Sequence, residues 1–152
     1  MNLTILMPCL NEEATIEACI KKAKLFITNN KIDAEILVAD NGSTDNSKSI
    51  AINNNVRVID VSQKGYGSTL LEGIKNSKGK FVIFADSDDS YDFSKIEPFI
   101  AKLNEGYDLV VGNRFKGEIE KGAMPFSHQY FGNPALSFLG RIFFKSKIGD
   151  FH

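Results

Sequence analysis

An unusual concentration of acidic residues follows one apolar run of the chain. The segment FVIFADSDDSYDF, residues 81–93, carries four aspartates within seven positions: Asp86, Asp88, Asp89 and Asp92. At a separation of ~5 Å and an effective dielectric constant of ~20, each pair of ionised carboxylates repels by about 3 kcal/mol. A cation or a hydrogen-bonded ligand at this segment would offset that repulsion.

Asp86 and Asp88 are the two members of this cluster best placed to share a ligand. In an extended backbone their side chains point the same way, about 6.6 Å apart. Oxygen ligands suit Mg²⁺ or Mn²⁺, which proteins often hold through one or two carboxylates together with substrate phosphates. The sequence contains no Cys/His cluster that would favour zinc. The pattern therefore predicts a divalent-metal site, with a solvated acidic turn that carries a helix-capping Asp as the alternative.

Other polar residues also follow apolar runs. In open α/β sheets, ligands bind beyond the carboxyl ends of the strands, and acids, amides, glycines and two cations would collect at that edge here. The segment QKGYGS, residues 63–68, would place Lys64 and backbone N–H groups against an anion. Loop polarity alone is the alternative explanation for any single group. The residues concerned are Pro8, Asn11, Glu12, Asp40, Asn41, Lys64, Gly65, Asn113 and Arg114.

Strand-like and helix-like runs alternate along the chain and would position these residues. Such alternation predicts an α/β fold, with a mostly parallel sheet and helices on both faces. The strands are apolar throughout, as strands covered on both sides must be. The spacing predicts strands over 3–8, 34–40, 56–61, 80–86 and 107–113. It predicts one helix that follows an Asn11 cap, helices over 48–54 and 65–79, and one from a Ser94–Glu97 capping box to Gly106. A last helix is predicted over 126–145, with an interruption at Pro134.

Length and composition indicate one domain of ordinary globular character. The chain has 152 residues, 43% of them hydrophobic, and a net charge of -1, which gives no general attraction to nucleic acid. Cys9 and Cys19 fall in apolar patterns and are interpreted as reduced core residues. No run approaches the ~20 apolar residues of a membrane span, and no signal peptide precedes Met1, so a cytoplasmic location is predicted. The end at KIGDFH predicts a domain, residues 1–152, that lacks its C-terminal part.

Four segments together resemble family 2 glycosyltransferases of the GT-A fold, most closely the dolichyl- or polyprenyl-phosphate mannosyl- and glucosyltransferase branch. They are MPCLNEEATI, VADNGSTDNS, KGYGSTLLEGIKNSKGKFVIFADSD and YDLVVGNRF. The resemblance implies a Rossmann-like nucleotide-sugar fold and inverting transfer of a hexose from a UDP- or GDP-sugar. It also implies a Mg²⁺ or Mn²⁺ cofactor and a polyprenyl-phosphate acceptor.

The same resemblance implies roles for individual donor-site residues. Pro8 and Glu12 would border the nucleobase and ribose, and Asp40 would accept an N–H of the base. Asp86-Ser87-Asp88 matches the family's D-x-D motif, with Asp88 the principal metal ligand and Asp86 shared with the ribose. Ser90 stands where many members carry Gln.

Acceptor and charge-stabilising roles follow on the same basis. Arg114, in the segment GNR, would grip the acceptor phosphate, and Lys64 would help to stabilise charge on the leaving diphosphate. Asp150 resembles an acidic residue near the reacting centre and would be the general base if the acceptor were a hydroxyl. Residues 126–151 hold six of the twelve Phe together with basic residues, a pattern typical of a helix at a membrane surface or, alternatively, of a core helix.

Two alternatives to an active transferase remain at this stage. The chain would be a truncated, non-catalytic domain that binds a nucleotide sugar, or a haloacid-dehalogenase-type phosphatase with Asp86 as nucleophile and Asp88 as acid/base. The phosphatase motif normally opens its domain, and no convincing Lys and acidic pair follows it here. The sequence leaves the oligomeric state, including a homo-oligomer, open.

Overall fold

The structure, a computed structural model, describes residues 1–112 and 133–144. The chain divides into two compact units, residues 1–104 and 105–152. The first unit contains a four-stranded sheet in the order β3-β2-β1-β4, in which every pair of neighbours is parallel. The α/β fold with a parallel sheet is therefore confirmed. The strands are β1 (Leu3–Cys9), β2 (Ala34–Asp40), β3 (Arg57–Asp60) and β4 (Phe81–Phe84).

Helices alternate with these strands. A short 3-10 helix, Phe93–Lys95, precedes the fourth α-helix. Within the first unit, α1 packs against α2 and β2, α3 packs against β1 and β2, and α4 packs against β4. The helices are α1 (Ile16–Asn30), α2 (Ser47–Asn53), α3 (Tyr66–Asn76), α4 (Glu97–Asn104) and, in the second unit, α5 (Asn133–Phe144).

The alternation of side chains along β1 divides the core between the two faces of the sheet. Leu3, Ile5 and Met7 join the larger cluster, which includes buried residues of α1, whereas Leu6 joins a smaller cluster that includes Leu70 of α3. All four β1 residues are at most 1% exposed, and complete burial of such a side chain stabilises the fold by about 1.5–3 kcal/mol. A central strand that is apolar on both faces thus requires helices on both sides.

Two cysteines belong to this core. Cys19 is fully buried and Cys9 is 3% exposed, and both are free thiols. The prediction of reduced core cysteines is confirmed. Burial raises the pKa of Cys9, and burial raises the pKa of Cys19 to about 11.

The amino edge of the sheet is closed by one carboxylate. Glu35, near the start of β2, accepts hydrogen bonds from Thr4 Oγ1 at 2.8 Å, from Arg57 Nε at 2.9 Å and Nη2 at 3.1 Å, and from the backbone N–H of Lys78 at 2.7 Å. The Thr4 hydroxyl in turn accepts the backbone N–H of Gly79 at 2.9 Å. Glu35 thereby ties β1, β2, β3 and the turn before β4 together.

Three predicted features are wrong. No strand forms over residues 107–112, where Leu109 is 64% exposed and Val111 is 49% exposed. The predicted fifth strand fails because an apolar run makes a strand only where a neighbouring strand supplies hydrogen-bond partners. Asn11 does not cap α1, since the helix begins at Ile16 after Thr15. Asp92, not Ser94, caps the 3-10 helix by accepting the Ser94 N–H at 3.0 Å.

In the second unit, α5 carries Pro134 as its second residue, a position where the missing N–H costs nothing. The part of the predicted aromatic helix at 126–132 and 145 lies outside the described residues. Across the described ranges, no helix combines the length and apolar character needed to cross a bilayer. Exposed large side chains on α5 are Leu136, Phe138, Leu139, Ile142 and Phe143.

Candidate active site

A cavity of about 390 Å³ opens beyond the carboxyl ends of the strands in the first unit. The strand register explains its position, because Cys9 of β1 pairs with Asp40 of β2, which pairs with Asp60 of β3. The loops that follow therefore leave the sheet at one level, as expected for a parallel sheet. The cavity is lined by Pro8, Cys9, Leu10, Glu12, Asn41, Lys64, Gly65, Tyr66, Thr69, Asp86, Ser87 and Asp88.

The D-S-D segment is fastened through its central residue. Ser87 is 1% exposed, and its hydroxyl donates to the Pro8 carbonyl at 2.8 Å. The Ser87 carbonyl accepts from Thr15 Oγ1 at 2.8 Å and from the Cys19 thiol at 3.5 Å. These contacts hold the middle of the motif against β1 and α1, with an aspartate on either side.

The two aspartates that flank Ser87 retain unused acceptor capacity. Asp88 accepts the Ser90 backbone N–H at 2.9 Å, and Asp86 accepts the Tyr66 hydroxyl at 2.8 Å. Among the described residues, these are the only hydrogen bonds that the two carboxylates accept. Partial burial and the bond to Asp86 raise the pKa of Tyr66 above its ordinary value.

Asp89 stabilises the turn that follows. It adopts a left-handed backbone conformation, with φ 66°, and its Oδ1 forms an ion pair with Lys22 Nζ of α1 at 2.7 Å. This bond also raises the pKa of Lys22. The fourth predicted acid, Asp92, caps the 3-10 helix, so the four crowded aspartates divide into two that line the cavity and two that support the loop.

Lys64 is the cation of the cavity wall within the described part of the chain. Its Nζ donates to the Asn41 carbonyl at 2.6 Å, which leaves two of the three ammonium N–H groups available to a ligand. Gly42, with φ +85°, makes room for this arrangement, because a Cβ at Gly42 would overlap Lys64 Nζ. Neither residue alone would predict this packing.

Asp40 lies beside the cavity rather than in its lining. The side chain is buried, and its carboxylate accepts the backbone N–H groups of Gly42 and Ser43, each at 3.1 Å to Oδ2. The adjacent Asn41 lines the cavity and holds the β3–α3 loop through its amide. In this conformation Asp40 therefore shapes the loop that follows β2.

The loop after β1 and the loop after β2 are interlocked, and this fixes Glu12. The Glu12 N–H donates to Ser47 Oγ at 2.7 Å, and the Asn11 N–H donates to Ser43 Oγ at 3.0 Å. In the reverse direction, the Thr44 N–H donates to Asn11 Oδ1 at 2.8 Å. Asn11 takes a left-handed φ of 60° to make these bonds, which explains why it does not cap α1.

The residues present fit a divalent cation only together with a ligand that brings further oxygens. Asp86 and Asp88 offer hard carboxylate oxygens at one cavity wall, and no group of three or more His, Cys, Asp or Glu within residues 1–112 and 133–144 forms a complete metal cage. Mg²⁺ and Mn²⁺ are commonly held by one or two carboxylates plus substrate phosphates. The donor set matches that arrangement and does not match a structural zinc site.

Most of the predicted donor-site residues meet at this cavity. It brings together Pro8, from the end of β1, with Glu12, Lys64, Asp86 and Asp88, from the loops after β1, β3 and β4. Arg114 and Asp150 lie outside the described residues, as does Asn113.

Sequence reasoning assigned no role in the site to several lining residues, among them Tyr66 and Ser87. Tyr66 lies between two glycines at the start of a helix, and an aromatic residue in that setting was the available signal. For Ser87 the available signal was weaker, namely its small size and its central place in the D-S-D segment.

Comparison with known proteins identifies the family of this chain. The sequence profile described as Glycosyl transferase family 2 matches residues 4–152. The chain belongs to glycosyl transferase family 2. This match contradicts the phosphatase alternative, whereas it agrees with the resemblance carried by the four sequence segments.

Two curated relatives from Haloferax volcanii illustrate the family 2 relationship. A low-salt glycan biosynthesis hexosyltransferase is 35% identical over 99% of this chain and 36% of its own length. A dolichyl-phosphate hexose transferase is 30% identical over 98% of this chain and 62% of its own length. The family 2 chain therefore spans between about a third and two thirds of these relatives.

Solved structures support the GT-A fold of this family 2 chain. Glucosyl-3-phosphoglycerate synthase from Mycobacterium tuberculosis, in complex with Mn²⁺, UDP and phosphoglyceric acid, is 32% identical, with a TM-score of 0.52 over 57% of this chain and 32% of that one. The same enzyme has also been solved with Mg²⁺ and UDP, at a TM-score of 0.51, 31% identity and coverage of 57% and 33%. Both structures of this synthase hold a divalent metal and UDP, and the expected GT-A fold is confirmed.

Proposed function

We propose that this chain is the donor-binding part of an inverting hexosyltransferase that uses a UDP- or GDP-sugar and a polyprenyl-phosphate acceptor. One observation carries the proposal: two aspartates and a lysine, from loops after different strands, face one cavity that also contains Pro8 and Glu12. A nucleotide diphosphate requires both halves of this set, since its phosphates need cations and its ribose needs hydrogen-bond acceptors. The UDP complexes of the structural neighbour support the donor class.

The pyrophosphate end of the donor would lie between Lys64 and the D-S-D segment. Breaking the sugar–phosphate bond places negative charge on the diphosphate, and two N–H groups of Lys64 are available to stabilise it. Asp88 and Asp86 would hold Mg²⁺ or Mn²⁺, which when bound offsets further charge on the leaving group. Pro8 and Glu12 would border the base and ribose. Asp40 is buried, and it would accept an N–H of the base through acceptor capacity that its bonds to Gly42 and Ser43 leave unused.

The acceptor half of the proposal depends on residues outside the described part of the chain. A lipid phosphate is already anionic, so it requires a cation for positioning rather than a general base. Arg114 would supply that cation with bidentate geometry, and Asp150 would serve as base for a hydroxyl acceptor. The curated relative named as a dolichyl-phosphate hexose transferase supports the lipid-phosphate class. The relative named as a glycan biosynthesis hexosyltransferase supports a role in glycan biosynthesis, which we propose serves the cell envelope.

Titration calorimetry with the 152-residue chain tests the donor assignment. UDP-glucose, UDP-GlcNAc and GDP-mannose would each be titrated with and without Mn²⁺. We expect one of them to bind, with Mn²⁺ required. Failure of all three to bind in the presence of Mn²⁺ would contradict the proposal.

Transfer of a labelled hexose to polyprenyl phosphate separates the enzyme from the non-catalytic alternative. Product formation by this chain would support the transferase. Donor binding without any transfer, restored by a longer chain from the same reading frame, would identify the present chain as the donor-binding portion. Association with anionic vesicles, measured in parallel, tests the predicted peripheral contact with the membrane.

A further inference from the structure

Tyr66 occupies a position in the cavity that the donor chemistry does not by itself explain. It is the first residue of α3, its side chain lines the cavity, and the residue is 55% exposed. Its hydroxyl donates to Asp86 Oδ1 at 2.8 Å. An exposed tyrosine ordinarily gains little from such a bond, since water offers the same partners. The main consequence of the bond is therefore its effect on the orientation of Asp86.

The bond joins the loops that follow the two outermost strands of the sheet. Tyr66 follows β3, Asp86 follows β4, and the order β3-β2-β1-β4 separates these strands by two others, or roughly 14 Å. Packing of α3 on β1 and β2 carries the start of the helix back across the middle of the sheet. A long side chain with a terminal donor then covers the remaining distance.

Asn41 fixes the starting point of this connection. Its Nδ2 donates to the carbonyls of Val61 at 3.1 Å and Gln63 at 2.8 Å, and its Oδ1 accepts the Gly65 N–H at 2.8 Å. Gly65 adopts φ +119°, a conformation open to glycine but strained for other residues. A buried amide at the end of β2 thus determines where α3 begins and where Tyr66 points.

The bond orients the Asp86 carboxylate. Within the described residues, Tyr66 is the partner of Oδ1, and Oδ2 accepts no hydrogen bond. A donor on one oxygen restricts rotation of the carboxylate and leaves the other oxygen to the cavity. Lys64 lies two residues before Tyr66, so the same bond also fixes the lysine loop relative to the D-S-D segment.

We infer that Tyr66 is a positioning residue that holds Asp86 in the orientation required to bind a divalent cation together with a nucleoside diphosphate. This inference rests on the proposed function. It assigns Tyr66 no contact with the cation and no chemical step. Because the Tyr66 bond already restricts the Asp86 side chain, less conformational entropy is lost when the ligand binds.

A double-mutant cycle tests the inference. Mn²⁺ would be titrated calorimetrically into the 152-residue chain at saturating UDP, and in parallel at saturating GDP, for wild type, Tyr66→Phe, Asp86→Ala and the double variant. Tyr91→Phe is the matched control, because Tyr91 is also partly exposed, at 44%, and lies outside the cavity lining. Thermal melts of each variant report whether folding is affected.

We expect Tyr66→Phe to weaken Mn²⁺ binding about 10-fold and to leave the melting midpoint unchanged. The Mn²⁺ affinity of Tyr91→Phe should stay within about twofold of wild type. In the Asp86→Ala background, Tyr66→Phe should have no further effect, because the carboxylate through which it acts has been removed. Equal affinities for Tyr66→Phe and wild type, or the same loss in both backgrounds, would overturn the inference while leaving the donor assignment intact. Absence of Mn²⁺-dependent binding in wild type would instead remove the proposed function and the inference together.

Discussion

The two edges of the sheet use carboxylates in opposite ways. At the amino edge, Glu35 accepts four hydrogen bonds, from Thr4, Arg57 and Lys78, which is about the full capacity of a carboxylate. At the carboxyl edge, Asp86 and Asp88 each accept one within the described residues. The first carboxylate is satisfied by the protein, and the other two keep acceptor capacity that a ligand in the cavity could use.

The number of hydrogen bonds that a carboxylate accepts from the protein distinguishes structural acids from candidate functional ones. Residue type alone does not make this distinction. Asp40 shows that position is insufficient, since it lies at the carboxyl edge yet resembles Glu35: it is 2% exposed and accepts backbone N–H groups. Unused acceptor capacity facing a cavity is the better criterion. The following variants test whether stability and ligand binding divide between the edges in this way.

Glu35→Ala should have the largest effect on stability. It leaves the Arg57 guanidinium, the Thr4 hydroxyl and the Lys78 N–H without their partner, and we expect a loss of about 2–4 kcal/mol in the free energy of unfolding. Urea denaturation measures this, and Mn²⁺-dependent UDP affinity of the folded variant should stay unchanged. Glu72→Ala is the control, because its pair with Lys75 is exposed on α3, and its unfolding midpoint should match wild type. Weakened UDP binding in Glu35→Ala would contradict the division between the edges.

Gly42→Ala should affect binding more than stability. The new Cβ would displace Lys64 Nζ, and we expect UDP affinity to fall about 10-fold, as for the loss of one charge-assisted hydrogen bond. Gly106→Ala is matched for backbone strain, because Gly106 has φ +97° and open space where a Cβ would lie. Both variants should lose about 1–2 kcal/mol of stability, because a residue with a Cβ is strained at positive φ, and only Gly42→Ala should lose affinity in calorimetry. Equal affinities would show that Lys64 does not contact the diphosphate.

The smallest expected effect is on the pH dependence of stability, through the two buried thiols. Burial raises the pKa of Cys9, and raises that of Cys19 to about 11 from an ordinary value of 9.0. Because the folded pKa lies above the unfolded one, the resulting stability is present below about pH 9 and is lost as the pH rises toward 11. At about pH 8 a thiol reagent should label neither cysteine in the native protein and both in guanidinium chloride. Rapid native labelling of Cys9, which lines the cavity, would show that the carboxyl edge opens.

The sequence predicted the sheet better than the helix ends. β2 has the predicted bounds of 34–40, because a continuous apolar run determines a buried strand locally. The Asn11 cap was wrong because Asn11 bonds to Ser43 and Thr44, more than thirty positions away. The strand expected over 107–113 was wrong in its described part, since strand formation depends on a partner as well as on composition.

The site could be predicted only in part for the same reason. Lys64, Asp86 and Asp88 were predicted from their types and from their place after strands, and they do line one cavity. The Asp40 carboxylate accepts backbone N–H groups of its own loop, as Asp does in turns generally, and residue type alone does not distinguish that use from ligand binding. The Tyr66–Asp86 bond depends on how α3 crosses the sheet, and no local pattern contains that information.

The most direct test of the account is the Mn²⁺ dependence of UDP binding in Asp88→Ala, compared with Asp60→Ala. Asp60 also ends a strand at the carboxyl edge, but it is exposed, pairs with Lys48 and lies outside the cavity lining. Calorimetry should show that wild type and Asp60→Ala bind UDP only with Mn²⁺, and that Asp88→Ala loses the metal-dependent binding. UDP binding that needs no metal, or that survives unchanged in Asp88→Ala, would contradict the assignment of this cavity as a metal–diphosphate site.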